Sequence, residues 1–85
     1  MWAASLPKGI HDDRYRRLIE RLTEARKSAG LSQVALAERL GKPQQFVSRY
    51  EVGERRLDVF EYIDVAQAIG IDGVGEIKAV IRQGR

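Results

Sequence analysis

From residue 12 onward the chain places apolar side chains at helical spacing and interrupts the pattern with glycine at intervals. Asp12 or Asp13 can cap a first helix whose Tyr15, Leu18, Ile19, Leu22, Ala25 and Ala29 lie on one side, and Gly30 ends it. Ser32 begins a shorter helix with Leu36, Ala37 and Leu40 on its apolar face, closed by Gly41. After Lys42, Pro43 suits the first turn of a third helix that runs to about Glu51 or Val52, with Gly53 beyond it. Asp58 followed by Glu61 forms a capping-box pattern for a fourth helix carrying Val59, Tyr62, Ile63, Ala66 and Ile69 up to Gly70. Asp72 or Gly73 opens a fifth, with Val74, Ile77, Val80 and Ile81 on one stripe. The pattern predicts five short helices and no strand. Residues 1–11 show no period, and Pro7 with Gly9 predicts an extended or mobile arm ahead of a single domain over 12–85.

The second and third helices are separated by a tight, glycine-containing turn, which is the requirement for a helix-turn-helix over about 32–52. Whether the third helix can read DNA depends on its outer face. Advancing ~100° per residue places Gln44, Gln45, Ser48 and Arg49 within one arc of about 140°, with Phe46, Val47 and Tyr50 opposite. Gln can pair bidentately with adenine, Arg with guanine, and Ser can bond a base or a phosphate. A solvated polar face on a helical bundle is the plainer reading of the same arc.

Two charges fall where a simple core has none. Arg26 projects about 20° from Tyr15, inside the stripe of the first helix, and Glu51 borders the core side of the third. An unpaired buried charge is very costly, so each is predicted to neutralise the other and fix the third helix against the first. The competing reading has both side chains reaching out to solvent.

Composition narrows the classes. At 85 residues there is room for one core, and 44% hydrophobic with 32% charged residues is the balance of a folded domain rather than a disordered one. There is no cysteine, and the single His11 cannot form a metal site unaided, so no metal or cofactor is expected and a reducing cytoplasm is the natural setting. No apolar run approaches the ~20 residues of a membrane span. Net charge is +3, but residues 1–56 carry 12 Lys/Arg against 7 Asp/Glu, a balance of +5, whereas 57–85 carry 3 against 5, a balance of −2. One basic side backed by an acidic one suits a nucleic-acid face. No nucleophile–base set or phosphate loop points to an enzyme, and capping accounts for Asp12, Asp13 and Asp58.

The segments Gly30-Leu31-Ser32-Gln33, Leu36-Ala37-Glu38-Arg39-Leu40-Gly41, Val47-Ser48-Arg49-Tyr50-Glu51 and Gly53-Glu54-Arg55-Arg56 occur in an order and spacing that resembles the repressor and Cro type of helix-turn-helix regulators, the xenobiotic-response-element family. The likeness covers roughly residues 14–70. It implies an all-α, five-helix, lambda-repressor-like domain whose recognition helix, about 43–51, enters the major groove of a double-stranded operator. It also implies base reading by Gln44, Gln45, Ser48 and Arg49, phosphate contact by Gln33, Lys42, Arg55 and Arg56, and an Arg26–Glu51 pair. The chain departs from the family pattern at Val52, where a polar residue is frequent, and after Arg56, where a proline is.

One helix-turn-helix reads only a few base pairs, so a homodimer on two half-sites is expected, joined through the fourth helix, the fifth helix or the N-terminal arm. Lys8 in the arm could reach the minor groove, or the arm could be an inert tail. The functional expectation is a nucleoid-associated transcriptional regulator. The alternative is an antitoxin-like module that binds a protein partner as well as DNA, for which an exposed apolar patch near the fifth helix or the arm, or a small toxin gene alongside, would speak.

Overall fold

The computed structural model describes residues 12–83, so the N-terminal arm, with Trp2, Lys8 and His11, lies outside the described residues. Five helices follow one another: α1 (Asp13–Ser28), α2 (Gln33–Leu40), α3 (Gln44–Val52), α4 (Val59–Ile69) and α5 (Gly73–Gln83). The described residues contain no strand.

Local chemistry sets the boundaries. Asp12 accepts from the Arg14 amide, Ser32 from Ala35, and Asp58 from Glu61, whose own carboxylate returns to the Asp58 amide to complete a capping box. Gly41, between α2 and α3, adopts φ +67°, a left-handed conformation that a residue with a Cβ reaches only under strain. It turns the chain sharply enough that only Gly41, Lys42 and Pro43 connect the two helices. Pro43 stands one position earlier than its sequence suggests: at ψ 156° it is the extended N-cap of α3 rather than its first helical residue, and it leaves that helix with no side-chain cap.

The core joins Ile19 and Leu22 of α1, Leu36 and Ala37 of α2, Phe46, Val47 and Tyr50 of α3, Leu57 from the α3–α4 connection, and Tyr62, Val65 and Ile69 of α4. Leu22, Leu36, Val47 and Val65 are fully buried, and truncating a leucine of this kind to alanine costs roughly 2–5 kcal/mol. Phe46 and Tyr50 meet edge to face at 5.8 Å between ring centroids, locking the inner side of α3. Two polar ties fasten the surroundings: the Leu57 amide donates to the Tyr15 hydroxyl at 3.0 Å, and the Tyr62 hydroxyl donates to the Gly73 carbonyl at 2.6 Å. Burial pushes the Tyr62 phenol up to about 12.

Two of the apolar stripes read from sequence are only partly inward. On α4 the buried set is Tyr62, Val65, Ala66 and Ile69, whereas Val59 is 69% exposed and Ile63 41% exposed. Apolar residues occupy so much of the circumference of α4 that one arc faces the core and another must face outward, and Val65 decides which. On α5 only Val80 is buried; Val74, Ile77 and Ile81 are exposed.

Candidate nucleic-acid interface

The sequence splits α3 into an inner side of Phe46, Val47 and Tyr50, all buried, and an outer side on which Gln44, Gln45 and Arg49 are exposed and Ser48 is half-buried. One turn beyond Ser48 the same arc also carries Val52, 62% exposed at the C-terminal end of the helix. The Ser48 hydroxyl donates to the Gln45 carbonyl at 3.3 Å.

The arc is held by a chain of hydrogen bonds that starts at the surface and ends in the interior. Gln44 Nε2 donates to Gln33 Oε1 at 3.3 Å, and Gln33 Nε2 donates to Glu51 Oε1 at 2.9 Å. Arg26 grips both oxygens of the same carboxylate, Nε to Oε2 at 2.7 Å and Nη2 to Oε1 at 3.0 Å, and its Nη1 donates to the Leu31 carbonyl at 2.7 Å. The Arg26 and Glu51 side chains are only 8% and 7% exposed. Such a pair persists because both charges are fully hydrogen-bonded, and removing either partner strands the other in the interior. The Glu51 carboxylate raises the Arg26 guanidinium above its ordinary value despite the opposing effect of burial. The network therefore joins the start of α2, the start and end of α3 and the C-terminal part of α1.

The Tyr50 hydroxyl is buried nearby without a hydrogen-bond partner among the described residues, and burial pushes the phenol well up. It is a neutral, silent neighbour of the pair at any physiological pH.

The cations around α3 separate into two kinds. Arg49 and Arg56 are exposed, as is Lys42, whose ammonium stands 5.2 Å from the centroid of the Phe46 ring. Arg55 is engaged within the chain: Nη1 and Nη2 donate to Oε1 and Oε2 of Glu61 at 3.0 and 2.7 Å, and the guanidinium carbon lies 4.8 Å from the same Phe46 ring. The Arg55 guanidinium, helped by the Asp58 amide, holds the Glu61 carboxyl down at about 2.

Sequence reading did not single out Arg16. Its guanidinium covers Gly53, so that a Cβ on that glycine would fall 2.6 Å from Arg16 Nη1. A second arginine, on α1, is thereby brought to the C-terminal end of α3, a juxtaposition that no local pattern in α1 reveals.

The helix-turn-helix family model matches residues 22–74, more than half of the chain. The chain belongs to the XRE-type helix-turn-helix family. Among solved structures, an XRE-family like protein from Pseudomonas syringae pv. tomato str. DC3000 is 45% identical, with a TM-score of 0.84 over 89% of this chain and 93% of that one. No curated protein matches the chain. The XRE-type domain has the all-α lambda-repressor-like fold, with α2 and α3 as its helix-turn-helix, and it is a DNA-binding regulator. Among the described residues no group of three or more His, Cys, Asp or Glu side chains is arranged to hold a metal ion, and no helix is long and apolar enough to cross a membrane.

Proposed function

We propose that α3 lies in the major groove of a duplex, where Gln44, Gln45, Ser48 and Arg49 contact base edges, and that occupancy of a promoter at the nucleoid, in the cytoplasm, alters transcription. The observation that carries this reading is the outer arc of α3, polar from Gln44 to Arg49 and braced from behind by the buried Arg26–Glu51 pair. Gln33, Lys42 and Arg56 flank that arc, at the starts of α2 and α3 and beyond the end of α3, and are assigned to phosphates. Phosphate contacts fix register and orientation, whereas base contacts select sequence. Gln33 serves both ends of this arrangement, because it touches Gln44 and Glu51 at once.

A single α3 covers only a few base pairs, so the reading includes a homodimer on two half-sites about 34 Å apart. The surface that supports it is the outward arc of α4 and α5, where Val59, Phe60, Ile63, Val74 and Ile81 are exposed. Phe60 is 75% exposed, an unusual exposure for a large aromatic ring in a solitary domain. The same arc favours a second reading, an antitoxin-like module that covers it with a different protein. A mass of two chains in light scattering of the purified protein supports the homodimer. A monomeric mass, unchanged when DNA is added, rules the homodimer out in favour of the partner protein.

The DNA reading is tested by selection of bound duplexes from a random pool. The expected product is a two-fold symmetric motif with half-sites one helical turn apart, degraded at one position per half-site in Arg49→Ala. An unselected pool, or an identical motif from Arg49→Ala, Gln44→Ala and Gln45→Ala, overturns it.

A further inference from the structure

We infer that Arg55 is a positioning residue for the recognition helix rather than a ligand of DNA phosphate, an assignment that rests on the DNA-reading role proposed above. The side chain is committed on three sides. Both oxygens of Glu61 accept from its two terminal nitrogens, Nη1 also donates to the Arg56 carbonyl at 3.2 Å, and the guanidinium lies against the ring of Phe46. Its backbone takes part as well, the Arg55 amide donating to the Arg49 carbonyl at 3.2 Å at the C-terminal end of α3. One residue thus touches the third residue of α3, the last turn of α3 and the first turn of α4.

Phe46 is what makes this matter for reading. It follows Gln45 directly and lies one turn before Arg49, so the seating of its ring sets the rotation of α3 about its own axis, and with it the aim of the outer arc. Arg55, held in place by Glu61, forms one wall of that seat. A planar guanidinium can hold a carboxylate with two parallel bonds while stacking on an aromatic ring; a lysine ammonium cannot do both.

Moving Arg55 to a phosphate would break both bonds to Glu61 and leave that carboxylate beside the polyanion. The exchange trades two charge-assisted hydrogen bonds and a cation–π contact for one phosphate contact, which does not repay it. Arg56, next in the chain, is exposed and free of side-chain partners among the described residues. The two adjacent arginines therefore divide the work: Arg56 meets the backbone, Arg55 holds the helix.

The test measures affinity of the full chain for its selected duplex and for a scrambled duplex across a salt series, alongside urea melts showing that each variant is folded under the binding conditions. Arg56→Ala is the reference for a phosphate contact: it weakens both duplexes and lowers the slope of log affinity against log salt by about 0.9. Arg55→Lys and Glu61→Gln are both expected to lose about 3- to 10-fold on the selected duplex, with little change on the scrambled one and no change in slope. The inference is overturned if Arg55→Lys binds like the parent while Arg55→Ala reproduces the slope loss of Arg56→Ala. It is equally overturned if Glu61→Gln tightens binding, as it would by releasing Arg55 to the phosphates, or if both variants lose only stability and keep their affinity. Failure of the DNA reading itself is seen separately, as a parent chain that does not distinguish the two duplexes.

Discussion

Two surfaces of this domain face solvent in opposite chemical styles. The outer arc of α3 carries Gln44, Gln45, Ser48 and Arg49, backed by a hydrogen-bonded network that ends in a buried ion pair. The outer arc of α4 and α5 carries Val59, Phe60, Ile63, Val74 and Ile81, backed by ordinary apolar packing around Val65 and Val80. Hydrogen-bonding groups select by direction, so they need a rigid base to fix where they point. Apolar groups associate by excluding water, which is roughly proportional to area and indifferent to small rotations, and they need no such bracing. The uneven distribution of buried charge between the two faces thus follows from what each face is proposed to meet.

The largest effect that would sharpen this contrast is loss of the brace. Glu51→Ala or Arg26→Ala leaves one charge buried and unpaired and is expected to cost roughly 3–5 kcal/mol in urea melts, an effect well below 1 kcal/mol being incompatible with the brace. Next come the side chains proposed to face the groove: Arg49→Ala or Gln45→Ala is expected to cost about 1–3 kcal/mol of binding at one base pair while leaving the melting curve within ~0.5 kcal/mol. On the other face, Phe60→Lys is expected to halve the mass seen in light scattering and to leave stability nearly unchanged, since the ring contributes little to the core. A dimer that survives this substitution together with Ile63→Lys would break the assignment of that face.

The smallest effect is one of pH. Glu61 has a folded-state value near 2, below its ordinary 4.5, so its contribution to stability is complete above about pH 4.5 and drains away as pH falls toward 2. Glu61→Gln is expected to flatten the acid limb of stability against pH in that window and to leave it alone near neutrality in slope. An acid limb identical in parent and variant would show that the pair with Arg55 is not formed in solution.

The fold was legible because its boundaries are local. Asp12, Ser32, Asp58 and the glycines at 30, 41, 53 and 70 act within a few residues of themselves, and the structure uses each where the spacing places it. What escaped the sequence depends on contacts between distant segments. The outward rotation of Val59 and Ile63 is decided by which side of α4 meets α2, and the pattern on α4 is apolar over too wide an arc to say. Arg55 carries the same charge as Arg56 and stands beside it, so only Glu61 and Phe46, six and nine residues away, separate the two. Arg16 reaches Gly53 from α1, with nothing in its own neighbourhood to announce it.

The central claim, that α3 and not the α4–α5 face meets DNA, is tested most directly by following side-chain and backbone NMR resonances as the selected duplex is added. The account predicts shifts centred on the side-chain amides of Gln44 and Gln45, the Arg49 guanidinium and the amides near Ser48, with Val80 and the buried Val65 unmoved. Shifts centred on Val74, Ile77 and Ile81, with those of α3 unchanged, would contradict it.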